Sequence, residues 1–124
     1  MLVLLGAAAR VVWFEGYGLD YRIDFSGVDW EPALEGTARL KRVLRGGKVF
    51  RLVEMTPASE HPEWCEVGHT GMIVEGELEI DFGGDKTVFR AGDALFIPAG
   101  TKDRHRPRAL SDRAVMFLIE DEDA

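Results

Sequence analysis

The chain contains a single cysteine, Cys65, among 124 residues. That excludes an internal disulfide framework and suits a reducing compartment. Basic residues are also in short supply, with 22 Asp and Glu against 15 Lys and Arg, for a formal net charge of −7. A field of that sign repels phosphate backbones, so nucleic acid is not an expected partner. Long apolar runs are missing as well. The best, the opening MLVLLGAAAR, starts with five strongly apolar residues, too few for a membrane span or a secretory h-region, and no basic segment precedes it. Ala7, Ala8 and Ala9 mimic a signal-peptidase site, but without those features the expectation is a cytoplasmic protein with no membrane partner. The run reads as a strand or a partner-covered terminus, and an apolar end of this kind argues for a homodimer.

Amphipathic helices longer than two turns, internal repeats and low-complexity linkers are also absent. What remains is rich in glycine, with 14 residues, and points to a turn-rich β protein. The length suits a single domain over residues 1–124. Short strand-like runs fall at 10–14, 20–25, 38–44, 48–55, 64–75, 77–82, 86–90, 94–97 and 113–119, bounded by glycine or proline, which predicts an all-β sandwich or barrel with little helix. WEPALEG at 30–36 offers one short turn, with Pro32 near its start and Gly36 stopping it. The closing EDEDA, 120–124, reads as a frayed, solvated acidic tail.

Period-2 alternation assigns faces in the best-marked hairpin: Leu78, Ile80 and Phe82 on one, Glu77, Glu79 and Asp81 on the other. Gly83-Gly84-Asp85 supplies the following turn. Two stretches carry the remaining signal: EWCEVGHTGMIVEGELEI at 63–80, and GDALFIPAG at 92–100 followed by TKDRHRPR at 101–108.

Gly92, Pro98 and Gly100 match the frame G-x5-P-x-G-x2-H, and Gly76 matches the glycine closing E-x6-G with a preceding H-x-H. In these two frames, about 60–80 and 92–106, the chain resembles the small single-domain cupins. The resemblance implies a cupin-type β-barrel, also described as a jelly roll or double-stranded β-helix, with its site inside the barrel and commonly a dimer. The glycines permit tight turns and Pro98 stands where a strand stops donating ladder hydrogen bonds. These residues build a fold and specify no chemistry.

The family's ligand positions are rewritten. Counting from Gly76 puts His69 where the family has glutamate, and Glu63 and Cys65 where it has the histidine pair. Counting from Gly100 puts Asp103 at the second-motif histidine. Each replacement is itself able to ligate a metal. His61 and His105 share parity with Glu63 and Asp103, so all could converge in extended backbone. Cys65, His69, Asp103, His105 and Glu63 are thus the candidate ligands of one divalent metal. Mixed thiolate, imidazole and carboxylate donors suit zinc best, and loss of the histidine-rich set argues against oxygen-activating iron.

Other readings stay open. A lone cysteine often only packs, and an inward histidine often only hydrogen-bonds in a core. Cys65 could instead serve as a nucleophile with His69 as base, although Glu63 and Glu66 would oppose the thiolate. The basic cluster at 101–108 reads as a charge-protected edge strand, or as a guanidinium rim for a carboxylate or phosphate. Trp13, Trp30, Phe50 and Trp64 read as core or interface residues, with Trp64 facing outward. Two functions follow. One is a barrel holding a small molecule in its interior without catalysis. The other is a metal-dependent enzyme, such as a dioxygenase, isomerase or lyase, acting on a carboxylate or sugar-like substrate.

Overall fold

The computed structural model describes residues 2–4, 11–13, 21–61 and 63–124, with eleven strands among them. They are β1 Leu2–Leu4, β2 Val11–Trp13, β3 Glu31–Ala33, β4 Ala38–Arg45, β5 Lys48–Met55, β6 His69–Glu75, β7 Glu77–Asp81, β8 Lys86–Arg90, β9 Ala94–Ile97, β10 Arg106–Ala109 and β11 Ala114–Asp121. The only helical pieces among the described residues are two 3-10 turns, Leu34–Gly36 and Thr101–Asp103. Strands pair antiparallel in three sheets: β3-β4-β5-β11-β6-β9, then β10-β7-β8, then β1-β2.

The two larger sheets enclose one apolar core. Alternation decides which side chains enter it. On β11, Ala114, Met116 and Leu118 are buried in the core, joined by Val53 and Met55 of β5, Ile73 of β6, Leu78 and Ile80 of β7, and Leu95 and Ile97 of β9. The outer face of the large sheet is apolar too: Phe117 lies 6.5 Å from Phe50 and 6.2 Å from Phe25 between ring centroids. At Gly71 a Cβ would sit 1.9 Å from the Phe117 carbonyl oxygen, so only glycine lets β6 lie this close to β11. Gly76, at φ 75° between β6 and β7, carries the chain from the large sheet to the small one.

Several sequence expectations shift here. Residues 21–25 form no ladder; instead this segment lies over the outer face, pinned where Lys41 Nζ donates to the Phe25 carbonyl at 2.9 Å. The run expected from residue 64 starts its ladder only at His69. Residues 31–33 pair with β4, and the turn expected at 30–36 is confined to Leu34–Gly36. The acidic tail is shorter than expected, because Glu120 and Asp121 complete β11 opposite Val49 and Lys48. Leu2–Leu4 does form a strand. Ala7–Ala9 lies outside the described residues, as does the side chain of Trp13.

Candidate metal centre

Cys65 stands in the connection between β5 and β6, outside any long ladder. A single bridge fixes it: Cys65 N–H donates to the His105 carbonyl and His105 N–H to the Cys65 carbonyl, both at 2.9 Å. That bridge sets Cys65 opposite His105, which is 2% exposed. His69 opens β6 on its inward face, opposite Ile97 of β9. The donor atoms of Cys65, His69 and His105 all lie within 4.8 Å of one another.

Two further groups orient the imidazoles. His105 Nδ1–H donates to the Asp103 carbonyl at 2.9 Å. A carbonyl only accepts, so the proton is on Nδ1 and Nε2 keeps its lone pair. His69 Nδ1 lies 2.5 Å from Glu120 Oε2, and the same carboxylate oxygen meets Arg51 Nη2 at 2.5 Å. The carboxylate stands off the ring N–H axis, so the His69 contact is one of charge more than an aligned hydrogen bond. It places the Nδ1 proton against an anion and turns Nε2 toward Cys65, 3.6 Å away.

The electrostatics follow from these contacts. The imidazoles beside the sulfur, His105 first and then His69, hold the Cys65 thiol down to about 5, against the opposing effect of burial. Burial works against a charged His69, but its contacts with Cys65 and Glu120 outweigh that and raise its pKa. Burial likewise opposes ionised Glu120, and His69 and Arg51 together hold its carboxyl below the usual range. In the metal-free protein these contacts favour a Cys65 thiolate beside a charged His69. The thiolate's stabilisation is present above the ordinary thiol value and is lost as pH falls through about 5. The His69 contribution runs oppositely, present in acid and lost as pH rises through its raised pKa. Alkylation of chelator-treated protein by iodoacetamide should reach its plateau by neutral pH and fall by half near pH 5. A rate still climbing at pH 9 would show an ordinary thiol and remove the pair.

The donor set fits a divalent metal on three counts. His105 Nε2 is buried without a hydrogen-bond partner, a state that costs free energy unless something binds there. Metal-bound imidazoles typically donate their second N–H to a carbonyl or carboxylate, as His105 does and as the position of His69 Nδ1 suits. A tetrahedral zinc with bonds of about 2.3 Å to sulfur and about 2.0 Å to nitrogen sets those donors about 3.5 Å apart, close to the 3.6 Å between Cys65 and His69.

Glu63 and Asp103, which motif spacing offered as ligands, stand outside this group. Glu63 is exposed and turns its carbonyl to His61 Nδ1 at 2.6 Å. Asp103 ends the Thr101–Asp103 turn. A 3-10 turn rises about 2.0 Å per residue where a strand rises about 3.3 Å, so the chain reaches the inner face later, at His105. Asp103 contributes through its backbone oxygen. Arg51 and Glu120 were missed. Their signal was parity: 51 keeps step with Val53 and Met55, and 120 with Met116 and Leu118.

The basic cluster folds as the 3-10 turn followed by the edge strand β10. Arg106 and Arg104 lie over the Trp64 ring, at 3.9 and 5.1 Å from its centroid. They therefore face away from the interior, and no guanidinium of this cluster borders the triad.

Behind the triad lies a cavity of about 120 Å³. Its walls are almost entirely aliphatic, from Leu40, Val53, Met55, Leu95, Met116 and Leu118 among others, and its polar lining comes from Arg51, His61, Cys65, His69 and His105.

None of the curated proteins matches the chain by sequence. Among solved structures, KdgF from Halomonas sp. is 26% identical, with a TM-score of 0.60 over 75% of this chain and 86% of that one. Protein NMB1881 from Neisseria meningitidis is also 26% identical, at TM-score 0.54 over 66% of this chain and 81% of that one. An RmlC-like cupin from Shewanella frigidimarina NCIMB 400 shares 12% identity and a TM-score of 0.64 over 84% and 92% of the two chains, a likeness of fold alone. No helix among the described residues is long and apolar enough to cross a membrane. Residues 51–119 match the family model described as a cupin domain, and with that match spanning more than half of its length, the chain belongs to the cupin family.

Proposed function

We propose that this cupin binds a small, largely apolar molecule in its interior, at a divalent metal held by Cys65, His69 and His105. The observation that carries this reading is His105: buried, its Nδ1 committed to the Asp103 carbonyl, its Nε2 left bare beside a thiolate and a second imidazole. Three protein donors leave one position for a ligand in a four-coordinate zinc site. A divalent ion with one thiolate and two neutral imidazoles retains one uncompensated positive charge, and the Arg51–Glu120 pair adds none. A buried charge of that kind favours an anionic head group such as a carboxylate.

The walls select the rest of the molecule. A cavity near 150 Å³ lined by aliphatic side chains accommodates a benzene-sized guest, and this one is slightly smaller. Sugar hydroxyls would lose water against Leu40, Val53 and Met116 without finding partners, which disfavours the sugar-like alternative. A short carboxylate with an apolar body fits both ends.

If the site turns over, a bound metal would supply Lewis acidity at the ligand's head group. The chain's own residues then have defined parts. Glu120 and the Asp103 carbonyl keep the two imidazoles aimed, the aliphatic wall excludes water, and His61, at the cavity edge, is placed to exchange a proton. A reducing cytoplasm would preserve the thiolate donor. A homodimer belongs to the same reading: Phe96, 74% exposed, joins Met72 and Val74 on one outer face of β9 and β6, a patch that a second copy would cover.

The test is elemental analysis of protein purified without an affinity tag, followed by cobalt loading. One equivalent of divalent metal, lost on His69→Ala, is expected. Butyrate should then shift the cobalt spectrum and glucose should not. Metal-free protein that keeps its fold would overturn the metal. Equal shifts from both ligands would overturn the ligand class.

A further inference from the structure

The sharpest backbone anomaly among the described residues lies at the cavity's edge. Leu34 and Glu35 both take left-handed conformations, at φ 48° and 55°, immediately before Gly36 at 85°. Two successive non-glycine residues in this region are strained, and such strain persists only where the surroundings over-determine it. Here they do. Thr37 N–H donates to the Leu34 carbonyl at 3.1 Å and Thr37 Oγ1 at 2.6 Å. The Thr37 carbonyl in turn accepts from the buried Ser59 hydroxyl at 2.5 Å. Ser59 closes the turn at 56–59, its N–H donating to the Thr56 carbonyl at 2.9 Å. A polar clasp thus ties the strained turn to the segment that leads into His61.

The clasp has a consequence for the cavity. Glu35 and Gly36 are exposed, whereas Leu34 is half-buried, packs on the core cluster and lines the cavity. His61 and Pro107 line both the cavity and an outer polar groove that also contains Ser59, Arg106 and Arg108. His61 and Pro107 therefore mark the boundary between the interior and solvent, and Leu34 is a cavity-lining residue with part of its surface open to solvent. Of the three, only Leu34 is held by a backbone that its residue type disfavours. Leucine at this position has no local justification: glycine would take φ 48° freely.

We propose that Leu34 is a specificity-determining residue, a side chain held by the strained turn across the cavity mouth, where it sets the upper size of molecules that reach Cys65. The proposal rests on reading the interior cavity as the ligand site and does not require the metal.

Cys65, the chain's only cysteine, reports on passage through the mouth. Full-length protein in chelator would be reacted with N-methylmaleimide and N-phenylmaleimide, each rate normalised to the same reagent on urea-unfolded chain. In the wild type the phenyl reagent should lag by about tenfold or more, the scale set by forcing extra carbon atoms past a filled site. Leu34→Ala and Leu34→Gly should remove most of that lag, and Leu34→Met, close in volume, should keep it. An undiminished lag in both small variants overturns the assignment of Leu34. A wild-type rate indifferent to reagent size would instead show that Cys65 is not reached through this cavity, which sinks the ligand-site reading itself. Melting temperatures test the strain separately: Leu34→Gly should melt at or above Leu34→Ala, the reverse of the usual order. The usual order would mean that the turn is not strained.

Discussion

Replacing His105 with alanine is expected to lower zinc affinity about a hundred- to a thousandfold, the share of one ligand in a binding free energy of ~10–16 kcal/mol for four. The fold should survive the change, because His105 is anchored through its backbone to Cys65 and its ring nitrogen Nε2 holds no partner in the protein. Alanine removes a buried polar atom that the metal-free protein leaves unsatisfied, so loss of metal affinity and retention of stability should separate. Glu63→Gln and Asp103→Asn provide the contrast. Both residues stand outside the cluster, and Asp103 acts through a carbonyl that asparagine keeps. Each should cost no more than severalfold. Competition against a chromophoric chelator reads all three. If Asp103→Asn proves as damaging as His105→Ala, the ligand set follows motif spacing and the inward turn to His105 has been misjudged.

The largest stability effect should come from Glu120→Ala. Its carboxylate is 9% exposed and lies between His69 and Arg51. Removing it leaves Arg51 with a buried Nε that already lacks a partner and a terminal nitrogen newly without one. Breaking a buried pair from one side costs about 3–5 kcal/mol, because the surviving charge is stranded. Glu120→Gln keeps an acceptor oxygen in place and should cost less. Urea denaturation of the metal-free protein at neutral pH measures both, and a loss under about 1 kcal/mol for the alanine variant would show that the pair is solvated. The acid limb carries the same information. Because the Glu120 carboxyl is held below its ordinary value, its contribution is present above about pH 4.5 and is lost as pH falls through the lowered pKa. In the alanine variant that part of the acid transition should vanish. For the metal-loaded protein the same substitution should weaken binding about 10–100-fold, the usual cost of losing an outer partner of a ligating imidazole.

Much of this architecture is legible along the chain. The alternation of Leu78 and Ile80 against Glu77 and Glu79 marks β7, and Gly76 and Gly92 mark turns that occur where the spacing puts them. Cys65 and His69 are identifiable as metal-capable donors from residue type alone. Less legible are the places where regular extension fails. Residues 20–25 alternate like a strand, yet 21–25 lie over the outer face without a ladder, a choice made by the contacts of Phe25 and Lys41. The reading of 120–124 as a tail stopped the period-2 pattern at Ile119, one residue before its most consequential member.

The chain by itself determined a β-rich cupin frame and a pool of donors: one thiol, three histidines and several carboxylates around two motifs. Periodicity and turn chemistry are local, so they suffice for strands, faces and turns. Which donors meet is not local. It depends on the Cys65–His105 bridge, on the shortening of the path by the Thr101–Asp103 turn, and on β11 lying beside β6 so that Glu120 reaches His69. The bridge and the strand pairing join residues far apart in sequence, and in either a displacement of one residue would turn a donor to the opposite face. Only the tertiary structure therefore selected Cys65, His69 and His105 from the pool and left Glu63 and Asp103 outside.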